Sequence, residues 1–479
     1  MFYLFFCIFI AVVLSAYLIC KFCIKNKDQF HTVITKILKI SVVVYCVISL
    51  LSILLPDALY LCYDAEDVVN SPLTGVAIVK WIGSVAFIML PLAVFFKNRT
   101  IRNIAIYFCT IATVLQLVFY PQFLECFTSL NGRGINSISV VSDSVKAFFI
   151  NPVFRSCVIG FVWGIELLIP IILAIEEKHV FNFKKAKEYG WFFLVLALSL
   201  ISSLPIYVPQ HLFGYSNIIF EAWSIPHIIW VVLVIVEIIV LYFIFRNKNT
   251  EHKMLMLFIL SLSLVMQYSQ MFGAIGIDIK RLPLQLCNIG SFLILFALIT
   301  KSKKIFDFTV IVNVVGVIFA LAVPDLDGEG LFYLYNIHFI FEHTNVIVIP
   351  ILALLLGIFP KLDKSSLKHF MVGFVIYFVV VFVLGSVFNA VGKSTGNGFW
   401  SANYLFMFDP VVAGDLAPFF GALFDTKLVV GNFTFYPVAQ ILVFIGFTAI
   451  CLIVFGLIQL IYFIKGKIAR KNTNKDLIA

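Results

Sequence analysis

The sequence predicts an all-α polytopic membrane protein. About thirteen transmembrane helices are expected, as two parallel six-helix repeats plus one C-terminal helix. Three observations carry this. Of 479 residues, 62% are hydrophobic and only 12% charged, where a soluble domain is about half apolar and a quarter charged. Apolar runs of about twenty residues, the length of one bilayer-crossing helix, recur along the whole chain. The connections between these runs alternate between basic and neutral or acidic. The period-two pattern of a membrane barrel is absent, and helices satisfy their own backbone in lipid.

Taken in order, the expected spans are 2–24, 33–55, 74–96, 101–120, 153–175, 191–208, 223–245, 254–272, 282–300, 305–324, 338–358, 369–388 and 438–464. The opening run "MFYLFFCIFIAVVLSAYLIC" reads as a first span rather than a removed leader, having neither a basic start nor a small-residue cleavage site. After odd spans come basic stretches such as "KFCIKNK", "FKNRTIR", "EEKHVFNFKKAK", "KSKK" and "KGKIARKNTNK". After even spans come "PDALYLCYDAED", "PQHLFGYSN", "PDLDGEG" and two long loops. Basic connections stay in the cytoplasm, so the amino terminus is expected outside and the carboxyl terminus inside a cell membrane. "GIDIKR" is the one discordant outer loop. The net charge of +9 therefore marks orientation. Nucleic acid is not an expected partner, because no basic patch is interleaved with aromatics. Membrane lipids are. Lys outnumbers Arg and Phe reaches 53, a composition that points to an AT-rich bacterial genome.

Three stretches recur in the same order. "IGSVAFIMLPLAVFFKN" is similar to "IGSFLILFALITKSK", "VFYPQF" to "LAVPDL", and "LLIPIILAI" to "IVIPILALL". Spans one to six would repeat as spans seven to twelve. Six is even, so both copies share one orientation. The expected domains are residues 1–220, 221–466 and a basic tail at 467–479. This alignment sets Lys80 opposite Cys287 and Trp163 opposite His343, so any reactive pair belongs to the second copy.

"RLPLQLCNIGS" (281–291) is the stretch that apolar packing does not explain: Gln285, Cys287 and Asn288 stand within four positions of an otherwise apolar run. Cys287 and His343 each lie five or six residues past the outer end of their spans, about 8–9 Å deep at the helical rise. His227, Asp325 and Asn403 are expected at the same membrane level. Polar groups inside a span are costly and face a cavity or one another. Together they permit acyl transfer. A thiol attacks an ester carbonyl once an imidazole takes its proton. Glu342, Asn345 or the Asp325 loop would orient the imidazole, and Gln285, Asn288 or Asn403 would hold the oxyanion.

Each residue also has a plain reading. A membrane cysteine is often only a small hydrophobe, and an intramembrane histidine often closes a helix–helix contact. His227 and Lys80 are read as able to snorkel to an interface, and His369 as solvated at a span end. Glu166 and Glu237 serve a proton path or bond across helices. The ten cysteines are expected to form neither a disulfide framework nor a zinc set. No motif calls for a metal or an organic cofactor.

"LPLQLCNIGSFLILFALITKSKKIFDF", "PDL", "HFIFEHTNVIVIPILAL" and "NYLF" together resemble the YwaF-like family of bacterial integral membrane proteins, over residues 223–464. Gln285 stands where the family pattern has histidine, and a Gly-Pro-Trp-Pro stretch before the last span is not recognisable. The family is similar to eukaryotic polytopic membrane proteins that act as lysophospholipid acyltransferases. That resemblance implies Cys287 as nucleophile and His343 as base. The expected function is a membrane-embedded lipid acyl-transfer or acyl-hydrolysis enzyme at the outer leaflet. The rival is a transporter or lipid flippase coupled through Glu166 or Glu237, and a third reading is a non-catalytic assembly protein.

Overall fold

The structure is a computed structural model and describes residues 1–59, 73–96, 98–177, 189–208, 218–322, 324, 330–409 and 424–476. Among these, eleven helices are long and apolar enough to span a membrane. Two shorter apolar helices fall on the two remaining expected spans. In chain order the helices are α1 Phe2–Cys23, α2 Lys27–Leu54, α3 Thr74–Phe95, α4 Arg99–Val118, α5 Tyr120–Phe127, α6 Asp143–Phe149, α7 Pro152–Glu177 and α8 Gly190–Ile201. They continue as α9 Ile225–Phe245, α10 Thr250–Ile275, α11 Leu286–Thr300, α12 Lys303–Ala322, α13 Leu334–Leu355, α14 Lys364–Thr395 and α15 Pro437–Asp476. Within the stretch expected as a plain loop stands one antiparallel hairpin, β1 Leu428–Val430 with β2 Phe433–Phe435.

Two expected boundaries move, each for a local reason. The sixth span ends as an α-helix at Ile201 and passes into a 3₁₀ turn at Leu204–Tyr207, where Pro205 removes an N–H donor. The ninth begins at Leu286 rather than at 282. Pro283 holds Leu282 extended, with ψ 152°.

The described chain divides into two compact units. The first is Met1–Ile219 with Phe258–Ile277 and Glu329–Phe339; the second is Phe220–Leu257, Asp278–Gly328 and Ile340–Ala479. In the first, α1 buries only Phe6 and Tyr17 and exposes most of its remaining apolar side chains. A helix apolar all round, with so little of it covered by protein, is suited to lipid. An aromatic core closes this unit. Phe2 stacks on Tyr120 at 3.7 Å, and Trp163 packs edge-on to Phe123 at 5.4 Å. Glu176 at the end of α7 takes hydrogen bonds from Tyr17, Lys21 and His31.

In the second unit α12 is interrupted by a π-helical turn at Thr309–Asn313. Below it, Asp307 is fully buried and bonded by Lys303 at 2.8 Å and His369 at 2.7 Å. His369, expected to be solvated, is thus held by a hydrogen bond to a buried carboxylate. Lys303 also reaches Ser366 at 2.6 Å, tying α12 to the start of α14. Asp363 caps α14 in a capping box, accepting from the backbone of Ser365 and Ser366. The Ser365 hydroxyl, the Ser366 N–H and Lys303 hold its carboxyl well below the usual carboxylate range.

The two "IGS" glycines pack alike. A Cβ on Gly83 of α3 would meet the Gln116 amide of α4 at 2.5 Å, and one on Gly290 of α11 would meet the Asn313 amide of α12 at 3.1 Å. In each unit a glycine lets the next helix lay an amide against the backbone.

Two outcomes follow. Gly134 sits at φ +82°, and an added Cβ would lie 2.5 Å from the Leu55 carbonyl oxygen. Gly134→Ala should therefore cost about 1–3 kcal/mol, read as a lowered midpoint of thermal unfolding in detergent. Asp363 adds stability above its unfolded titration range, and that stability fades as pH falls through its lower folded value. The stability difference between wild type and Asp363→Ala should be constant from pH 8 to about 5 and shrink below about 4, followed by chemical unfolding at each pH.

Candidate functional site

Because α11 starts at Leu286, Gln285 is its N-cap and Cys287 its second residue. The first-turn N–H groups of a helix have no intrahelical acceptor. The Cys287 sulfur stands 3.0 Å from the Asn288 amide. With its nitrogen turned to the carboxylate, that amide donates to both Glu342 oxygens at 3.3 Å. One turn on, the Ser291 hydroxyl donates to Glu342 Oε1 at 3.2 Å. Glu342 on α13 is 2% exposed and Ser291 fully buried. A thiol, an amide, a hydroxyl and a carboxylate thus form one line along α11. On α11, spacings of three and four residues set Ser291 over Asn288 and Cys287, and Glu342 meets this side from α13.

His343 is next to Glu342 in the chain and 4% exposed. It lies about 100° further round α13, toward Thr344, whose hydroxyl accepts from Trp230 Nε1 at 2.8 Å. Ser291, not Cys287, is level with Glu342. Cys287 stands one turn, about 6 Å, nearer the helix start.

His227 is fully buried rather than interfacial. Phe220, Trp223 and Trp230 surround its ring, with centroids at 5.7–6.1 Å. Its Nδ1 accepts from the Trp223 backbone N–H at 3.1 Å. The neutral ring therefore carries its proton on Nε2, a buried donor without a hydrogen-bond partner. Asn345 donates to Phe341 of its own helix at 3.0 Å, leaving Oδ1 buried and unpaired.

Gln285 and Asn403 do come together. Gln285 Nε2 donates to the Asn403 carbonyl, and its Oε1 accepts from Leu405 N–H, both at 3.2 Å. Asn403 Oδ1 then accepts from Phe408 and Asp409 N–H, each at 3.0 Å. Leu405 and Phe406 have φ of 53° and 55°, a backbone region unusual for such residues. Gln285 acts as a clamp on this strained segment. Asp325 lies outside the described residues.

Several contributors escape a sequence reading. Asn313, on the π-helical turn, donates to the Leu286 carbonyl at 2.5 Å, and Tyr377 to the Leu284 carbonyl at 2.7 Å. The Leu284 carbonyl lies before the delayed start of α11, and the Leu286 carbonyl is in its first turn. A polar residue followed by an X-Pro step was the available signal; the partner's identity was not. Cys20 and Cys23 stand at C-x-x-C spacing at the end of α1, and both are exposed free thiols. Among the described residues no group of three or more His, Cys, Asp or Glu is placed to hold a metal.

These features define the class: an all-α, multi-pass membrane protein with a buried polar seam in its second unit. The TMEM164 family model, that of a membrane protein family, matches residues 222–459, just under half the chain. The match falls on the stretch that carries the resemblance seen in the sequence, under the TMEM164 name rather than the YwaF-like one. No curated protein and no solved structure matches the chain.

Removing the clamp should loosen its segment without unfolding the helices. Gln285→Ala strands two backbone groups at a cost of about 1–3 kcal/mol. Hydrogen exchange should speed up at residues 404–409 and stay unchanged along α14.

Proposed function

We propose that residues 221–464 form a membrane-embedded acyl-transfer or acyl-hydrolysis site in which Cys287 is the nucleophile and His343 the base. The observation that carries this reading is the placement of Cys287 in the first turn of α11, beside Asn288 and the Glu342 carboxylate. Apolar packing asks for none of these groups. A thiol at a helix start has uncommitted N–H groups on hand for an oxyanion.

The reaction runs in two steps. The Cys287 sulfur attacks the ester carbonyl of a phospholipid while its proton passes to His343. The first-turn N–H groups hold the resulting oxyanion. The C–O bond breaks, the lysolipid alkoxide takes the proton from His343, and a thioester remains. A lysolipid hydroxyl or water then gives its proton to His343 and attacks the thioester, releasing the new ester or the acid and restoring the thiol. Glu342 orients α13 against α11, and the His227 Nε2–H is a further donor for the carbonyl.

The charge pattern of the connections supports a membrane topology with the amino terminus outside, which sets Cys287 toward the outer leaflet. The donor is then a membrane phospholipid rather than a soluble thioester. The three stretches that recur in the same order support a parallel duplication. Under that alignment Lys80 takes the place of Cys287, so the chemistry belongs to the second copy alone.

The test is intact-mass analysis of purified protein incubated with phospholipid bearing a labelled acyl chain. Wild type should carry a hydroxylamine-sensitive acyl adduct, and Cys287→Ala none. His343→Ala should form it at least about a hundredfold more slowly, in line with loss of a general base. An adduct that survives Cys287→Ala sinks the assignment. Absence of both adduct and lipid turnover in wild type favours the transporter or flippase reading. Tolerance of every such substitution in cells favours an assembly role.

A further inference from the structure

We propose that the first unit holds a binding site for a phosphate oxyanion, free or borne on a lipid head group, with Arg155 as its principal ligand. The basis is a cavity of about 160 Å3, near the size of one that holds benzene. Into it face Asp57, Lys80, Gln116, Arg155, Glu166 and Gln270.

The charges in this cavity are unequally matched. Glu166, 4% exposed, accepts from the Tyr45 hydroxyl at 2.7 Å and from Gln116 Nε2 at 3.0 Å. Lys80, expected to reach for the interface, turns instead to Asp57. Asp57 is itself pinned by the Leu59 N–H at 2.9 Å. Arg155 is 4% exposed. It has one hydrogen bond, from Nη2 to the Pro56 carbonyl at 3.2 Å, and rests on the face of Phe127 at 4.8 Å. Its Nε and Nη1 donors are buried without a hydrogen-bond partner, and so is the Gln270 Oε1 acceptor. Among the described residues no carboxylate pairs with the guanidinium.

A buried cation left this way is costly unless something complements it. An oxyanion does so, because guanidinium geometry matches phosphate. Lys80 is positioned near the same Phe127 ring, 5.2 Å away, with its charge matched by Asp57. The unpaired Gln270 oxygen accepts from a protonated phosphate oxygen. Glu166 lies eleven residues further along α7, about 16 Å at the helical rise. Glu166 is therefore well separated from the guanidinium, and the nearer carboxylate, Asp57, is committed to Lys80 and the Leu59 N–H. This inference does not rest on the acyl-transfer reading; the two sites lie in different units.

The experiment uses delipidated full-length protein in detergent. Thermal unfolding and native mass spectrometry are followed during titration with inorganic phosphate and, separately, with dihexanoyl phosphatidic acid. Wild type should be stabilised saturably. Arg155→Met should bind at least tenfold more weakly, and Cys287→Ala should bind as wild type does. Response to both probes assigns the site to phosphate itself, and response to the lipid alone assigns it to a head group. Without ligand, Arg155→Met should melt at or above wild type, since it removes an unpaired cation. Arg155→Lys should fold normally and bind with intermediate affinity. Equal response of wild type and Arg155→Met overturns the proposal, as does no response of wild type to either probe. A ligand-free Met variant melting well below wild type also overturns it, because the guanidinium would then be a structural prop.

Discussion

Hydrocarbon offers no hydrogen-bond partner, so every polar group carried into a span must be satisfied within the protein. The rest of this structure follows that constraint. In the first unit it joins Tyr45 of α2 and Gln116 of α4 to Glu166 of α7, three helices meeting at one carboxylate. In the second it joins Asn288 and Ser291 of α11 to Glu342 of α13. At the end of α12 it joins Lys303 and His369 to Asp307. Apolar surface alone would leave these helices free to slide, because lipid is as good a neighbour as another helix. The buried polar contacts fix their register.

Departures from regular helix collect beside these contacts. Pro283 delays α11, and Tyr377 and Asn313 donate to the Leu284 and Leu286 carbonyls at its start. Asn313 reaches its carbonyl from a π-helical turn, an irregularity that redirects one side chain without ending the helix. The left-handed pair Leu405 and Phe406 is held by Gln285 and by the loop bonds of Asn403. Around Cys287, therefore, the backbone is irregular but restrained, which suits a site that must keep its groups in place.

The two units spend their polar residues differently. The second lines them along one helix face, with a thiol at the helix start. The first gathers them round a cavity, with an ion pair, a bonded carboxylate and a guanidinium whose Nε and Nη1 have no hydrogen-bond partner among the described residues. Different chemistry on a shared scaffold is the ordinary outcome when the scaffold is set by packing and the site by a few side chains.

The sequence alone determined the helical class, the thirteen apolar segments and the short list of polar residues inside them. Those follow from segment length and from the cost of charge in lipid, both local properties of the chain. It also singled out Cys287, Glu342 and His343. It did not determine which of them meet. A shared depth is expected for Cys287 and His343 from the ends of their apolar runs, and the regular turns of α11 begin only at Leu286. The carboxylate facing that helix is Glu342, with Ser291 as its level partner. Helix rotation and register decide such pairings, and they are settled by contacts between distant segments. For the same reason nothing in the sequence singles out Arg155, near the start of the fifth expected span. Only the tertiary structure turned it inward, onto Phe127 and into a cavity with no partner of opposite sign among the described residues.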